Sequence, residues 1–413
     1  MEAKLVNAAP AAEADLLASA AKHLLGNYRP QKVLMERGEG SVLFDTAGRR
    51  YLDFCAGVAV CALGHAHPEL SATIAAQAHK LMQVSNYYYN RQNVELAAEL
   101  CEATGYDRAF FCNSGTEAME ACLKLIRRHH HEKGAPRSRI LAFTKAFHGR
   151  TMGALALTGN AKYMEGFEPH LGGIEHLEYG DLEAVKAKMG PDVAGIVVEP
   201  IQGEVGVNPP PEPFLAGLRA LADEHGALLV FDEVQAGVGR TGVFLAQERS
   251  GVKGDATALA KGLGGGFPIG AVVLSEEVAP ALPPGAHGST FGGNPLASVA
   301  ARVVVGTVRQ PEFLAGVRER GEYLGKKLSE LAAKHPDLAS GERGQGLLRA
   351  VVLTGKVAPR DLITPMRKRG LLITAAGADG MRFTPPLVVT EAVIDEAVQI
   401  ADEGLTAIEA TLD

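Results

Sequence analysis

Residues 226–242 read G-A-L-L-V-F-D-E-V-Q-A-G-V-G-R-T-G, and residues 255–270 read D-A-T-A-L-A-K-G-L-G-G-G-F-P-I-G. Ala227 to Phe231 is an unbroken apolar run between a glycine and a carboxylate, the pattern of a strand buried on both faces. Asp232 ends that run, and a shorter one, Ala256 to Ala260, ends in the same way at Lys261. Open α/β sheets bind ligands beyond the carboxyl ends of their strands, so two neighbouring strand ends bring a carboxylate and an amine to one crevice. Apolar and glycine neighbours disfavour an ammonium and lower the pKa of Lys261, which suits a lysine that bonds to a carbonyl. Pyridoxal phosphate chemistry needs such a lysine, with an acid that keeps the pyridine nitrogen protonated. A turn-capping Asp232 and a lysine snorkelling from a glycine-rich loop fit the same two positions, so other segments decide.

Outward from this stretch, apolar runs at 109–112, 140–143, 195–198 and 271–274 alternate with helical or loop-like segments. That alternation predicts an α/β fold with a mostly parallel central sheet and helices on both faces. Toward the amino terminus, 42–45 and 51–54 flank an Asp-Thr-Ala-Gly turn and read as a hairpin. Beyond about residue 306 charged helices take over, with strands at 347–353, 371–374 and 381–384. The division expected is an amino-terminal segment, 1–55, joining a smaller α+β domain at 306–413, with a large ligand-binding domain at 56–305.

Three loops follow predicted strands and so face the same sheet edge. Residues 108–128 run from a strand through Asn113-Ser114-Gly115-Thr116 into a helix opening at Glu117. Free N–H groups at a helix start, two hydroxyls and a glycine make a phosphate cradle, although an ordinary cap has the same composition. Residues 144–151, T-K-A-F-H-G-R-T, offer Phe147 to stack on a ring and Arg150 to clamp a carboxylate. Residues 199–204, E-P-I-Q-G-E, add Glu204, for which Arg382 in M-R-F-T-P-P is the candidate partner. The run after Lys261 lacks the last glycine of a dinucleotide fingerprint, because Phe267 stands there.

Composition narrows the classes. The 413 residues are 46% hydrophobic with 48 glycines and a net charge of −7, which favours a globular protein and offers no nucleic-acid surface. Five cysteines without metal spacing predict free thiols in a reducing compartment. No apolar stretch is long enough to span a bilayer and no secretory leader opens the chain, so a cytoplasmic protein is expected. His129-His130-His131 reads as a solvated helix end, and no metal site is expected.

Six segments occur in order: N-S-G-T-E-A (113–118), F-H-G-R-T (147–151), E-P-I-Q-G-E (199–204), F-D-E-V-Q-A-G-V-G-R-T-G (231–242), L-A-K-G-L-G-G-G-F-P-I-G (259–270) and H-G-S-T-F-G-G-N-P-L (287–296). Together they resemble the class III, pyridoxal 5'-phosphate-dependent ω-aminotransferases of fold type I, most closely the branch that acts on acetylated ornithine. The resemblance runs from about Val42 to the carboxyl terminus. It implies that Lys261 bonds to the cofactor, Asp232 holds its ring nitrogen and Gln235 donates to its ring oxygen. It also implies that Ser114, Gly115 and Thr116 receive the phosphate, and that Phe147 stacks on the ring beside His148. On the substrate side it implies that Arg150 and Arg382 clamp the carboxylates of an acylornithine and of glutamate, with Glu204 switching on Arg382 and with Ser289 and Val58 in contact. Thr290 is implied to reach the phosphate site of the other subunit in a homodimer.

The reaction implied moves the terminal amino group of N2-acetylornithine to 2-oxoglutarate, giving N-acetylglutamate 5-semialdehyde and glutamate, a step of arginine biosynthesis. Donors of the same class (succinylornithine, succinyldiaminopimelate, ornithine, 4-aminobutyrate) stay open, as do an aminomutase or decarboxylase on the same fold and a non-catalytic relative. Val58 and His148 stand where ornithine enzymes carry tyrosine and tryptophan, which disfavours free ornithine. Val205 stands where acetylornithine enzymes more often carry glycine, and its branched side chain predicts a narrower pocket.

Overall fold

The computed structural model describes residues 13–412; the start of the expected amino-terminal segment, 1–12, lies outside the described residues. A seven-stranded sheet forms the centre, in the order Arg108–Cys112, Gly270–Leu274, Ala256–Leu259, Leu228–Asp232, Val193–Val198, Arg139–Phe143, Ile174–Leu177. Gly270–Leu274 is antiparallel to both of its neighbours, and every other pairing is parallel. Every residue of Val193–Val198 and Leu228–Asp232 is buried, as expected for strands covered on both faces.

The side-chain alternation of these strands divides the core. Val197, Val230 and Ala258 pack with Met119, Cys122 and Ile126 of the helix Gly115–Glu132. Ile196, Leu229 and Phe231 face the other way, onto Phe214, Leu218 and Leu221 of the helix Phe214–His225. The predicted three-layer arrangement is therefore present. Ile174–Leu177, the strand at one edge, was absent from the sequence reading; its I-E-H-L is half polar and carries no run to detect.

Two four-stranded sheets complete the fold. One joins Met35–Glu39, Val42–Asp45 and Arg50–Asp53 to Leu371–Leu372, where Leu52 pairs with Leu371 across the two ends of the chain. The other orders Ala339–Gln345, Leu348–Leu353, Gly380–Phe383 and Thr374–Ala376. Ala339–Gln345 has the sequence A-S-G-E-R-G-Q, so pairing alone, and no apolar pattern, marks it as a strand. The helix Pro295–Val308 runs through the expected boundary at 305/306. Among the described residues no helix is long and apolar enough to cross a membrane.

One expectation is corrected. His129 and His130 are buried rather than solvated, and only His131 is exposed. The long helix stays packed on the sheet to its end, so His130 Nε2–H donates to the Ala194 carbonyl at 2.8 Å and the two rings meet edge to face at 5.2 Å. Among the described residues no cluster of side chains is arranged to hold a metal. Burial pushes both imidazoles below their ordinary value of 6.5. Depressed folded values mean that their neutral forms stabilise the fold fully above that value, and that this contribution is lost as pH falls through the folded pKa. The denaturant midpoint is expected to drop between about pH 7 and pH 5.5, and to drop less in the His129→Gln/His130→Gln variant. Parallel titrations of the two proteins check it; equal drops would contradict it.

Candidate active site

A cavity of about 440 Å³ opens at the carboxyl ends of the parallel strands. Leu228–Asp232 and Ala256–Leu259 pair in parallel with Asp232 opposite Ala258, so Asp232 and Lys261 leave adjacent strands toward one space, and both line it. Lys261 begins a 3-10 turn, Lys261–Gly264, with φ at +43°, a left-handed backbone that a side chain rarely adopts and that the surrounding packing must enforce. Burial first, and then the charge of Arg382, hold its amine below the usual lysine range, against the opposing pull of Glu204, Asp232 and Glu199.

Asp232 is buried and bound on both oxygens. Oδ1 accepts the Val234 N–H at 2.9 Å, and Oδ2 lies 2.7 Å from His148 Nδ1. The other ring nitrogen of His148 is buried without a partner among the described residues. Burial alone would lower the His148 pKa, but the hydrogen bond to Asp232 and the charges of Asp232 and Glu199 raise it overall. His148 therefore works on Asp232 from the wall of the cavity, a contact that the motif F-H-G-R-T did not disclose.

The 18-residue helix opens at Gly115, two residues earlier than the sequence suggested, with Ser114 as its cap. Ser114 Oγ accepts the Glu117 N–H at 3.3 Å, so its hydroxyl serves the helix while the first N–H groups of the turn point along the axis into the cavity. A Cβ on Gly115 would lie 2.7 Å from Val234, so only glycine lets the helix start this close to the strand end. Thr116 Oγ1 accepts the N–H groups of Arg150 and Thr151, at 3.2 and 3.3 Å, and ties the helix start to the arginine loop. Phe147 and Arg150 both line the cavity from that loop.

Arg382 lies on Gly380–Phe383, is only 2% exposed and does not itself line the cavity. Its Nη1 donates to Gly203 O at 2.7 Å, Glu204 Oε2 at 3.0 Å and Gln235 Oε1 at 3.2 Å, and its Nε donates to Thr374 at 2.9 Å. Glu204 and Gln235 stand between it and the cavity, and both line it.

Other expected site residues lie elsewhere. Val60, in place of Val58, lines the cavity, because residues 57–59 turn through left-handed backbone. Ser289 and Thr290 are outside this cavity; Ser289 Oγ accepts from Asn113 at 3.2 Å behind its wall. Val205 packs against Gly377 and is not among the residues that line the cavity. Glu199 is the residue that sequence reasoning missed. Its Oε1 accepts the Phe147 N–H at 2.8 Å and its Oε2 the Gly203 N–H at 3.1 Å, so one buried carboxylate joins the aromatic loop to the Glu204 segment. The Glu-Pro after a buried strand was visible, but nothing in a sequence shows that two distant N–H groups converge on it.

Comparison with known proteins agrees with this geometry. A family model described as aminotransferase class-III matches residues 26–405. Acetylornithine aminotransferase 1 of Bradyrhizobium diazoefficiens is 49% identical over 394 residues, 94% of this chain and 96% of that protein. Acetylornithine aminotransferase of Myxococcus xanthus is 49% identical over 92% of this chain and 95% of its own length. Among solved structures, ornithine aminotransferase from Toxoplasma gondii superposes with a TM-score of 0.93 at 32% identity, over 98% of this chain and 97% of that one. N-acetylornithine aminotransferase from Stenotrophomonas maltophilia gives 0.83 at 34% identity, over 96% and 100%.

Burial pushes the Glu199 carboxyl up to about 7, with Asp232 adding to the rise and His148 opposing it. Protonation below that value weakens the grip on the Phe147 and Gly203 N–H groups. Amino-transfer kcat/KM is therefore expected to fall on acidification below about pH 7, and Glu199→Gln to be about tenfold slower with that limb flattened. A pH profile of both proteins tests this, and an unchanged acid limb in the variant would exclude it.

Proposed function

Since the chain belongs to the class III aminotransferases, we propose that it transfers the terminal amino group of N2-acetylornithine to 2-oxoglutarate, yielding N-acetylglutamate 5-semialdehyde and glutamate. The observation that carries this reading is the pair Arg382–Glu204: a buried guanidinium rests on a carboxylate that itself borders the cavity. An ω-amine donor presents no carboxylate near its reacting end, and an unpaired arginine there is costly; Glu204 satisfies it. When 2-oxoglutarate enters, its carboxylate replaces Glu204, which is the more solvent-exposed partner. The relatives named acetylornithine aminotransferase, at 49% identity, support the acylated donor over free ornithine. So do the apolar Val60 and Ile269 on the cavity wall, which suit an acyl group better than an ammonium.

Pyridoxal 5'-phosphate is the cofactor of this family, and the residues present fit it. The helix start at Ser114, Gly115 and Thr116 suits the phosphate, and Asp232 the ring nitrogen, with His148 behind it. The Gln235 amide is free to donate to the ring oxygen because its Oε1 faces Arg382. Phe147 would cover the ring, and the depressed amine of Lys261 suits covalent attachment. When bound, the cofactor supplies an electron sink for the carbon that loses its proton. Lys261 Nζ would remove that proton as a base and return it as an acid, a role its lowered pKa serves. Arg150 holds the donor's α-carboxylate. Asp232, oriented by His148 and the Val234 N–H, would hold the ring nitrogen.

The working form proposed is a cytoplasmic homodimer. Phe291 is exposed within the segment 289–292, which Gln83 and Asn86 hold through the carbonyls of Thr290 and Ser289, and Tyr87 and Tyr89, next along the chain from Asn86, are exposed too. An exposed apolar patch of this kind marks an interface, and from it Thr290 reaches the phosphate site of a second copy. Glu204→Gln is expected to slow the N-acetylornithine half-reaction by at least about tenfold while changing the glutamate half-reaction much less. Single-turnover measurements of both halves, with N-succinylornithine, ornithine and 4-aminobutyrate as rival donors, are the test. Equal slowing of the halves, or a rival donor with higher kcat/KM, would refute the reading.

A further inference from the structure

The two arginines assigned to substrate carboxylates are held in opposite ways. Arg382 is enclosed, and its Nη1 and Nε donate to oxygen atoms, a carboxylate among them. Arg150 is exposed at the cavity, and among the described residues its guanidinium meets no carboxylate. It lies instead on aromatic rings: its Cζ is 3.9 Å from the centre of the Tyr163 ring and 5.4 Å from that of Phe147. Those two rings meet edge to face, 6.0 Å apart at 86°. Tyr163 comes from the short helix Ala161–Met164, separate from the loop that carries Arg150.

A ring face attracts a cation through its quadrupole and leaves the in-plane N–H groups unengaged. A resident carboxylate would take two of those N–H groups in the fork that a substrate carboxylate needs. An arginine with no partner at all would sample many rotamers and lose that freedom on binding. Stacking avoids both penalties. We propose that Tyr163 is a positioning residue for the donor half-reaction: it holds the Arg150 guanidinium by its face, with the N–H edge open, so that a donor α-carboxylate docks without displacing an anion. The site thus carries one gated clamp, Arg382, and one permanently open clamp, Arg150. This inference rests on reading Arg150 as the donor's clamp.

Steady-state kinetics of the holoenzyme with N-acetylornithine and 2-oxoglutarate test it. Tyr163→Leu is expected to raise the donor KM about three- to thirtyfold, with kcat and the 2-oxoglutarate KM within about twofold, and Tyr163→Phe to stay near the parent. Adding Tyr163→Leu to Arg150→Ala is expected to change the donor KM no further, since Tyr163 acts through that guanidinium. A donor KM that rises in Arg150→Ala but not in Tyr163→Leu would overturn the role of Tyr163 alone. So would equal rises in both KM values, or additive effects in the double variant. A donor KM unmoved by Arg150→Ala would remove the clamp reading and this inference with it.

Discussion

Asp232 and Ala258 are register partners on adjacent parallel strands, and most of the site follows from that pairing. Parallel strands run their carboxyl ends to the same edge, so the residues just beyond them converge without any long-range search. The carboxylate ends one strand and the lysine follows the other within two residues of its last strand position. Around this pair the remaining loops leave the same sheet edge, and each adds one function to a shared cavity. The strain at Lys261 and the glycine at 115 are local consequences of bringing a turn and a helix start so close to the strand ends.

Charge organises the cavity as tightly as topology does. Lys261, His148 and Arg382 face Asp232, Glu199 and Glu204, and burial works against the charged forms of Lys261, His148 and Glu199. His148 is tied to Asp232, Arg382 to Glu204, and Glu199 to two backbone N–H groups. Such ties keep a desolvated group from collapsing onto the wrong neighbour, and they make the site sensitive to any ligand that brings a carboxylate of its own. Arg150 alone stands on aromatic faces, which gives the cavity two anion sites of different readiness.

Much of this was legible beforehand because it is local. An apolar run ending in Asp232 or Lys261 declares both a buried strand and the side chain at its end, and a glycine between hydroxyls declares a helix start. The failures were equally physical. His129 and His130 read as solvated because consecutive polar residues at a helix end usually are, yet the helix stays against the sheet to its last turn. Val60 rather than Val58 lines the cavity, because the backbone is left-handed at residues 57–59, which a linear reading does not show. Ala339–Gln345 has no hydrophobic pattern, and only its neighbour makes it a strand.

By itself, the sequence determined the fold class, the strand ends that carry Asp232 and Lys261, and the loops that meet there, since all of these are encoded by apolar runs and turn residues close in the chain. Tertiary structure alone decided that His148 faces Asp232, that Glu199 clasps two loops and that Tyr163 lies under Arg150. Those contacts join segments far apart in sequence, and their geometry is set by how sheets and helices pack rather than by any residue's own preference.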